Sequence, residues 1–582
     1  MVRRSIRSSP LRLLLPFFVA LLIFGGAMLV MRPSPSGDEP HYVLEAVSIA
    51  RDGDFDLTNQ YADPDLVTDV WGNPSLEPHA FRFPGGHGLQ STHAPGLSVL
   101  LAPVAAVTTT GLWLRAEIVL IAAIAAALLM ALLERVPFGS PRTRWLAWTA
   151  VVLSAPIVVY SSALYPEIPA AALVLGAAVL LTRQRPGPGA LAGAAALAAL
   201  LPWLNVRFLA LTLAIGALAL WRAWPLPRRG VAVAAVLGPL VASGLVFAAA
   251  FQHWYGSWSP AAQYQLSDSP RTLSGAYRFG VGALLSPDYG WLALAPVHLL
   301  GVVAIGLLVA RVGRSALAGV LAAAFYVIVI GASGVGFPGA SFPGRQLVVI
   351  VPLVAVPLLV GLATQRTWWW RAAFAVLAVI SLALTVRAVD HHALSPAPAS
   401  GSLLARYDGV WPDYSGATLQ RQVQWVGAPA SAHLPAGRAG VLVTGRTPLL
   451  PPSAYGAVVA LRSDAPATGR LATITVRDGA GTVLATQDVS ALALPPRIGE
   501  RRFTLSFHTP RPMRMRLTVT STGAAGLTAA APVIANRPAA TLEGSSGYPG
   551  LAATVAWIAA LVAIGAALVM LDARSGRRPS NA

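Results

Sequence analysis

The chain has 582 residues, 55% of them hydrophobic and only 11% charged, well under the quarter or so typical of a water-soluble globular chain. It has no cysteine, which excludes disulfides and thiolate chemistry, and all 42 of its basic residues are arginine. The net charge of +18 accompanies an Ala-, Gly- and Pro-rich composition, so it does not by itself point to nucleic acid.

Apolar runs of about 20 residues recur through the first two thirds of the chain, long enough to cross a bilayer. The first, "LRLLLPFFVALLIFGGAMLVM" (11–31), lacks a small-residue cleavage site and reads as a retained anchor. Spans are expected near 11–31, 113–133, 145–164, 167–182, 190–204, 206–221, 230–251, 290–310, 315–332, 344–363, 369–389 and 549–571, about twelve in all. The short connections "ERVPFGSPRTR", "RQRPGPG", "RAWPLPRR", "RVGR", "RTWWWR" and "RSGRR" are rich in arginine and are expected to be cytoplasmic, as are both termini. Counting "APGLSVLLAPVAAVTTTG" (94–111) as a span would turn every later basic loop outward, so it is expected to be re-entrant or interfacial. The outward segments are then 32–93, 252–289, 333–343 and a region near 391–548. That last region holds runs such as "LATITVRDG" and "RMRLTVTST", which alternate apolar and polar residues between turns, the pattern of an antiparallel β-sandwich. The expected architecture is a polytopic α-helical membrane protein with an extracytoplasmic β-sandwich before its last helix. Its domains are 1–390, 391–548 and a C-terminal helix and tail, 549–582.

The first outer loop, 32–93, carries ten of the 24 acidic residues and opens with "PSGDEPHY". After it, His41, Glu45, Ser48 and Asp52 recur at helical spacing opposite Val43 and Val47, which predicts an amphipathic helix on the outer leaflet. Ser36 and Glu39 match a capping box and Asp38 is a good N-cap, so local capping alone accounts for the pair. Capping needs only one acid, however, and carboxylates near lipid cost desolvation unless they have a partner or a task. Candidate partners lie in the other outward turns: His93 in "THAPG", Glu167 in "YPEIPA", Arg207 in "LPWLNVRF", Arg345 in "FPGRQ", and Arg271 and Arg278 in the second loop. Outward arginines at a lipid boundary pair either with protein carboxylates or with a phosphate, which the guanidinium fork fits. Trp254, Trp258 and Tyr264 serve either as sugar-stacking platforms or as an interfacial aromatic belt.

"GDEPHY" at the head of the first outer loop resembles the Asp-Glu motif of the GT-C glycosyltransferases. "THAPGLSVLL" is similar to the His/Lys-Pro-Pro-Leu motif of the protein mannosyltransferase and aminoarabinose transferase branches, with one proline where they have two. "ALYPEIPAAAL", "SPDYGWLALAP" and "FPGRQLVVIVPLV" also resemble segments of such bacterial enzymes, over about residues 1–390. The tail resembles, in pattern only, the carbohydrate-binding β-sandwiches of arabinosyltransferases. The resemblance implies an inverting transfer of a sugar from a polyprenyl-phosphate donor to a cell-envelope glycan, lipid or protein on the outer face of the cytoplasmic membrane. It implies Asp38 as general base, with Glu39 orienting the acceptor or, together with Asp38, a divalent cation. His93, Arg207, Arg278, Arg345 and Glu167 are then the donor-phosphate and substrate contacts, and Trp254 and Trp258 the stacking residues. Two other classes stay open. A lipid-sugar flippase would carry ionisable residues in mid-span, and a non-catalytic envelope scaffold would use the acids only as caps.

Overall fold

In the computed structural model the described residues lie between Leu11 and Arg574. Segments 265–272, 333–341, 391–422 and 537–550, with several shorter stretches, fall outside the description. The chain divides into two compact units, one of residues 1–63, 77–412 and 550–582, the other of 64–76 and 413–549.

The first unit is helical. Seven of its described helices are long and apolar enough to cross a membrane: Leu13–Met31, Gly111–Arg135, Val206–Ala223, Arg229–Tyr255, Arg314–Ala332, Trp368–Val389 and Thr554–Arg574. Leu22, Leu245, Ile328 and Val379 on these helices are at least two-thirds exposed. Apolar side chains spread around a long helix suit hydrocarbon as their solvent, and the protein is a membrane protein. The last helix belongs to this unit. Asp572 accepts from Arg311 Nε at 2.7 Å, and Thr554 meets Tyr277 Oη at 2.9 Å.

The other five expected spans are short or interrupted. The 145–164 run is two helices, Pro141–Val152 and Ala155–Tyr160, because Pro156 fits only the first turn of a new helix. The 290–310 run falls into Trp291–Leu294, His298–Val303 and Ile305–Val312. The 344–363 run begins with 3-10 turns at Arg345–Leu347 and Val351–Val354 before Ala355–Thr364. Glu167–Leu181 has 15 residues, and Pro188–Ala199 breaks before Leu201–Leu204. The 94–111 segment forms the ten-residue helix Gly96–Ala105, about 15 Å long and so half a bilayer core. Broken helices leave backbone groups free, which is tolerable where protein surrounds them, and here they meet side chains of the site.

The first outer loop folds as the helices Glu39–Arg51 and Thr58–Ala62 and a two-stranded ribbon, Ala80–Phe81 with Gln90–Ser91. The helix Glu39–Arg51 is not the leaflet-lying amphipath expected. It is buried on all sides from Glu39 to Ser48, its polar stripe taken up by protein partners. Ser98 Oγ donates to Glu45 at 2.6 Å and Ser48 Oγ to Asp54 at 2.9 Å.

The second unit holds two antiparallel sheets. One runs Gly440–Arg446, Met515–Ser521, Arg470–Asp478, Val483–Ser490. The other is built on the long strand Ser453–Ser463, paired with Arg501–Thr509 on one edge and with Leu527–Ala530 and Val533–Asn536 on the other. Alternation does the sorting: Met515, Leu517 and Val519 point inward while Arg516 and Thr520 point out. Leu517, Ile474 and Val476 of the first sheet share one buried cluster with Val459, Leu461 and Leu505 of the second. The helix Pro64–Trp71, part of the expected first outer loop, belongs to this unit and buries Leu66, Val67 and Val70.

Candidate functional site

Four elements of the helical unit bring their charged residues together. Asp38 immediately precedes the helix Glu39–Arg51. Glu167 opens the helix Glu167–Leu181. Arg207 sits in a 3-10 turn whose entry is held by Asn205, its Oδ1 accepting from Arg207 N–H at 3.1 Å. Arg345 follows Gly344, whose φ of +81° is a left-handed conformation that favours glycine and turns the chain into the site.

Their charges alternate. Arg345 Nη1 donates to Asp38 Oδ2 at 2.9 Å, and Arg345 Nε donates to Glu167 Oε1 at 2.9 Å. Arg207 Nη2 donates to that same Glu167 oxygen. The Arg345 guanidinium also lies 3.9 Å from the Tyr165 ring centroid, a cation–π contact. Glu167 is fully buried and its second oxygen has no hydrogen-bond partner among the described residues. Desolvating such charges can cost more than their pairing returns, so the network is weak evidence for stability. Asp38 is the accessible member, with 24% of its side chain exposed.

Three histidines surround Asp38 on its other side. The ribbon register pairs Ala80 with Ser91, and Thr92 N–H donates to His79 O at 2.9 Å, so His79 and His93 emerge side by side. His79 Nδ1 lies 3.7 Å and His93 Nε2 4.0 Å from Asp38 Oδ1. His41 stacks on His79 with ring centroids 3.9 Å apart, and its Nδ1 meets Tyr61 Oη at 2.7 Å. Burial pushes the Asp38 pKa up, but Arg345, His93 and His79 outweigh it and hold the carboxyl well below the usual range. Burial pulls His93 down to about 4, partly opposed by Asp38. Asp38 is therefore an anion and His93 a neutral imidazole at physiological pH.

Glu39 stands apart from the cluster. Its two oxygens accept from Arg115 Nη1 and Nη2 at 2.7 and 2.8 Å, and Oε1 also accepts from Leu164 N–H at 2.7 Å. Arg115 Nη1 in turn donates to Ser162 O at 2.9 Å. Glu39 and Arg115 are both buried, and the turn between Tyr160 and Glu167 supplies the backbone groups that hold them. Adjacent helical residues point about 100° apart, which is why the neighbour of Asp38 serves a different site. The two oxygens expected to orient an acceptor or share a cation with Asp38 are engaged here by Arg115 and the Leu164 N–H. Asp38 makes no side-chain cap hydrogen bond, and Ser36 lies outside the described residues.

Trp254 packs on Phe55, with centroids 4.7 Å apart, and Trp258 is largely exposed. Arg278 lies on the helix Leu273–Leu285, and its side chain, like Arg271 and the side chain of Tyr264, is outside the described residues. The network thus joins Asp38, His93, Glu167, Arg207 and Arg345, from segments up to 307 positions apart. His41 is placed by sequence only on a helical stripe, and His79, Tyr61 and the partnership of Arg115 are not singled out there. The histidine in "EPHAF" sits 14 residues before His93 with a Gly-Gly turn between, a hairpin signal that would have paired them.

No protein-family model matches the chain, and no curated protein matches it. Among solved structures, ArnT from Cupriavidus metallidurans in the apo state is similar at 15% identity, with a TM-score of 0.42, over 68% of this chain and 77% of that one. The arabinose-bound α-L-arabinofuranosidase MgGH51 is similar at 13% identity and a TM-score of 0.15, over 20% of this chain, which spans 27% of that protein's length.

Proposed function

We propose that the protein is a membrane glycosyltransferase of the GT-C type, which moves a sugar from a polyprenyl-phosphate donor to a cell-envelope acceptor outside the cytoplasmic membrane. The observation that carries this reading is one partly exposed, anionic carboxylate, Asp38, tied to Arg345 and through Glu167 to Arg207. Two guanidiniums beside one reachable carboxylate suit a reaction in which a phosphate leaves and a hydroxyl attacks. The acceptor oxygen bonds to the anomeric carbon, the carbon–oxygen bond to the phosphate breaks, and the electron pair leaves with the phosphate. Asp38 takes the hydroxyl proton, a contribution of roughly 10²–10⁴-fold. Arg345 and Arg207 bind the phosphate and stabilise its growing charge. Glu167, buried and bridging both arginines, positions them. Attack from the face opposite the leaving group gives inversion.

On this reading the arginine-rich connections and both termini are cytoplasmic, by the positive-inside tendency, and the Asp38 side is outside. The sheet unit is then an extracytoplasmic β-sandwich that binds glycan. Membranes containing the protein, given a panel of radiolabelled polyprenyl-phosphate sugars, should pass label from one donor to an envelope acceptor with the anomeric configuration inverted in the product. Absence of transfer across the whole panel, or retention of configuration, contradicts the reading.

A further inference from the structure

Three atoms able to ligate a metal meet at Asp38, the two imidazole nitrogens within hydrogen-bond distance of each other and both beyond it from the carboxylate. His79 Nδ1 and His93 Nε2 are 3.3 Å apart, and they lie 3.7 and 4.0 Å from Asp38 Oδ1. The two distances to the carboxylate are too long for hydrogen bonds. The circumradius of a triangle with these sides is about 2.1 Å, the shortest equal distance a shared ion could have from all three atoms, and Zn–N and Zn–O bonds have that length.

The surroundings hold the three groups in place. The ribbon fixes the two histidines as neighbours, and the His41 ring, anchored on Tyr61, lies flat against His79. Arg345 occupies the other Asp38 oxygen, Oδ2, and leaves Oδ1 turned to the imidazoles. Partners of this kind orient ligands around a metal. His79 is 43% exposed and Asp38 24%, so one side of the triangle is open. Two imidazoles and one carboxylate with an open position suit Zn²⁺ and neighbouring transition ions, whereas Mg²⁺ and Ca²⁺ favour all-oxygen sites.

We propose that Asp38, His79 and His93 form a transition-metal site that takes one Zn²⁺-like ion per chain. The ligand set differs from the Asp38–Glu39 pair expected from the sequence, since Glu39 is committed to Arg115. Metal binding does not depend on the transferase reading. The ion's use does: on that reading Asp38, His79 and His93 would hold it, and it would supply Lewis-acid polarisation of the acceptor hydroxyl.

The test is equilibrium binding to the full-length protein in detergent after chelator stripping. Calorimetric titration with Zn²⁺ should saturate at one ion per chain, and Co²⁺ should give visible d–d bands that Zn²⁺ then abolishes. His79→Ala and His93→Ala should each weaken Zn²⁺ at least about tenfold. His253→Ala, which alters the separate stacked pair of His87 and His253, should leave binding unchanged. A wild-type protein that binds neither Zn²⁺ nor Co²⁺ saturably overturns the site, as does one whose affinity is the same in both histidine variants. The Co²⁺ spectrum needs only wild-type protein, so misfolding of a variant does not shield the proposal. Because transfer is not measured, failure of the transferase reading leaves this outcome intact.

Discussion

At the scale of single residues, burial decides what each charge is for. Arg345 and Arg207 share Glu167, so on the proposed reading a phosphate entering the site would meet two donors already held in place. Replacing either by glutamine removes charge-assisted bonds worth about 1.5–3 kcal/mol each. Arg345→Gln and Arg207→Gln should therefore raise KM for the donor roughly ten- to hundredfold in a transfer assay, with the acceptor KM little changed. A donor KM unaltered in both variants would take the phosphate site elsewhere. Glu45 makes a different prediction. Burial lifts its carboxyl to about 8, and the Ser98 hydrogen bond only partly opposes this. Its folded pKa lies above its unfolded one, so its contribution is complete below the unfolded value of 4.5 and is lost as pH rises toward about 8. The thermal midpoint in detergent should fall across that window for wild type, and Glu45→Gln should flatten the slope. An equal slope in the variant would show that Glu45 is not its source.

At the scale of elements, the long helices were legible and the broken ones were not. A run such as Gly111–Arg135 declares itself by length and apolarity. The 145–164 run reads just as apolar, yet it breaks at Pro156 and its end unwinds around Glu39 and Arg115. That partnership spans 76 positions and leaves no local pattern. The helix at Glu39–Arg51 misled for a related reason. Its polar stripe signals water until Ser98, Tyr61 and His79 supply the partners. Of the site, Asp38, His93, Glu167, Arg207 and Arg345 could be picked out as polar residues in outward turns, but the assignment of Glu39 needed the direction of its side chain. The Glu39–Arg115 clamp carries its own prediction. Arg115→Met strands a buried carboxylate and should cost about 3–5 kcal/mol, seen as a large fall in the unfolding midpoint. Restoring most of that loss with the further change Glu39→Gln would show that the unpaired charge causes it. If Arg115→Met leaves the midpoint in place, the clamp is not structural.

At the scale of the whole molecule, composition settled the class: a chain with few charges and recurrent apolar runs belongs in a bilayer. Alternating hydrophobicity also marked the sheets, and Leu517 with its inward neighbours shows why, since a strand sorts its side chains by parity. What composition did not show is the division of the chain. The short segment 64–76 leaves the first outer loop to join the sheet unit, and the last helix returns to the helical one. On the proposed reading the accessible carboxylate works beside its arginines at one face of the membrane. The most direct test compares transfer of label from polyprenyl-phosphate sugars by wild type and by Asp38→Asn, matched for membrane insertion and thermal midpoint. The account predicts transfer by wild type and a loss of roughly 10²–10⁴-fold in the variant. An Asp38→Asn protein that transfers as fast as wild type would contradict it.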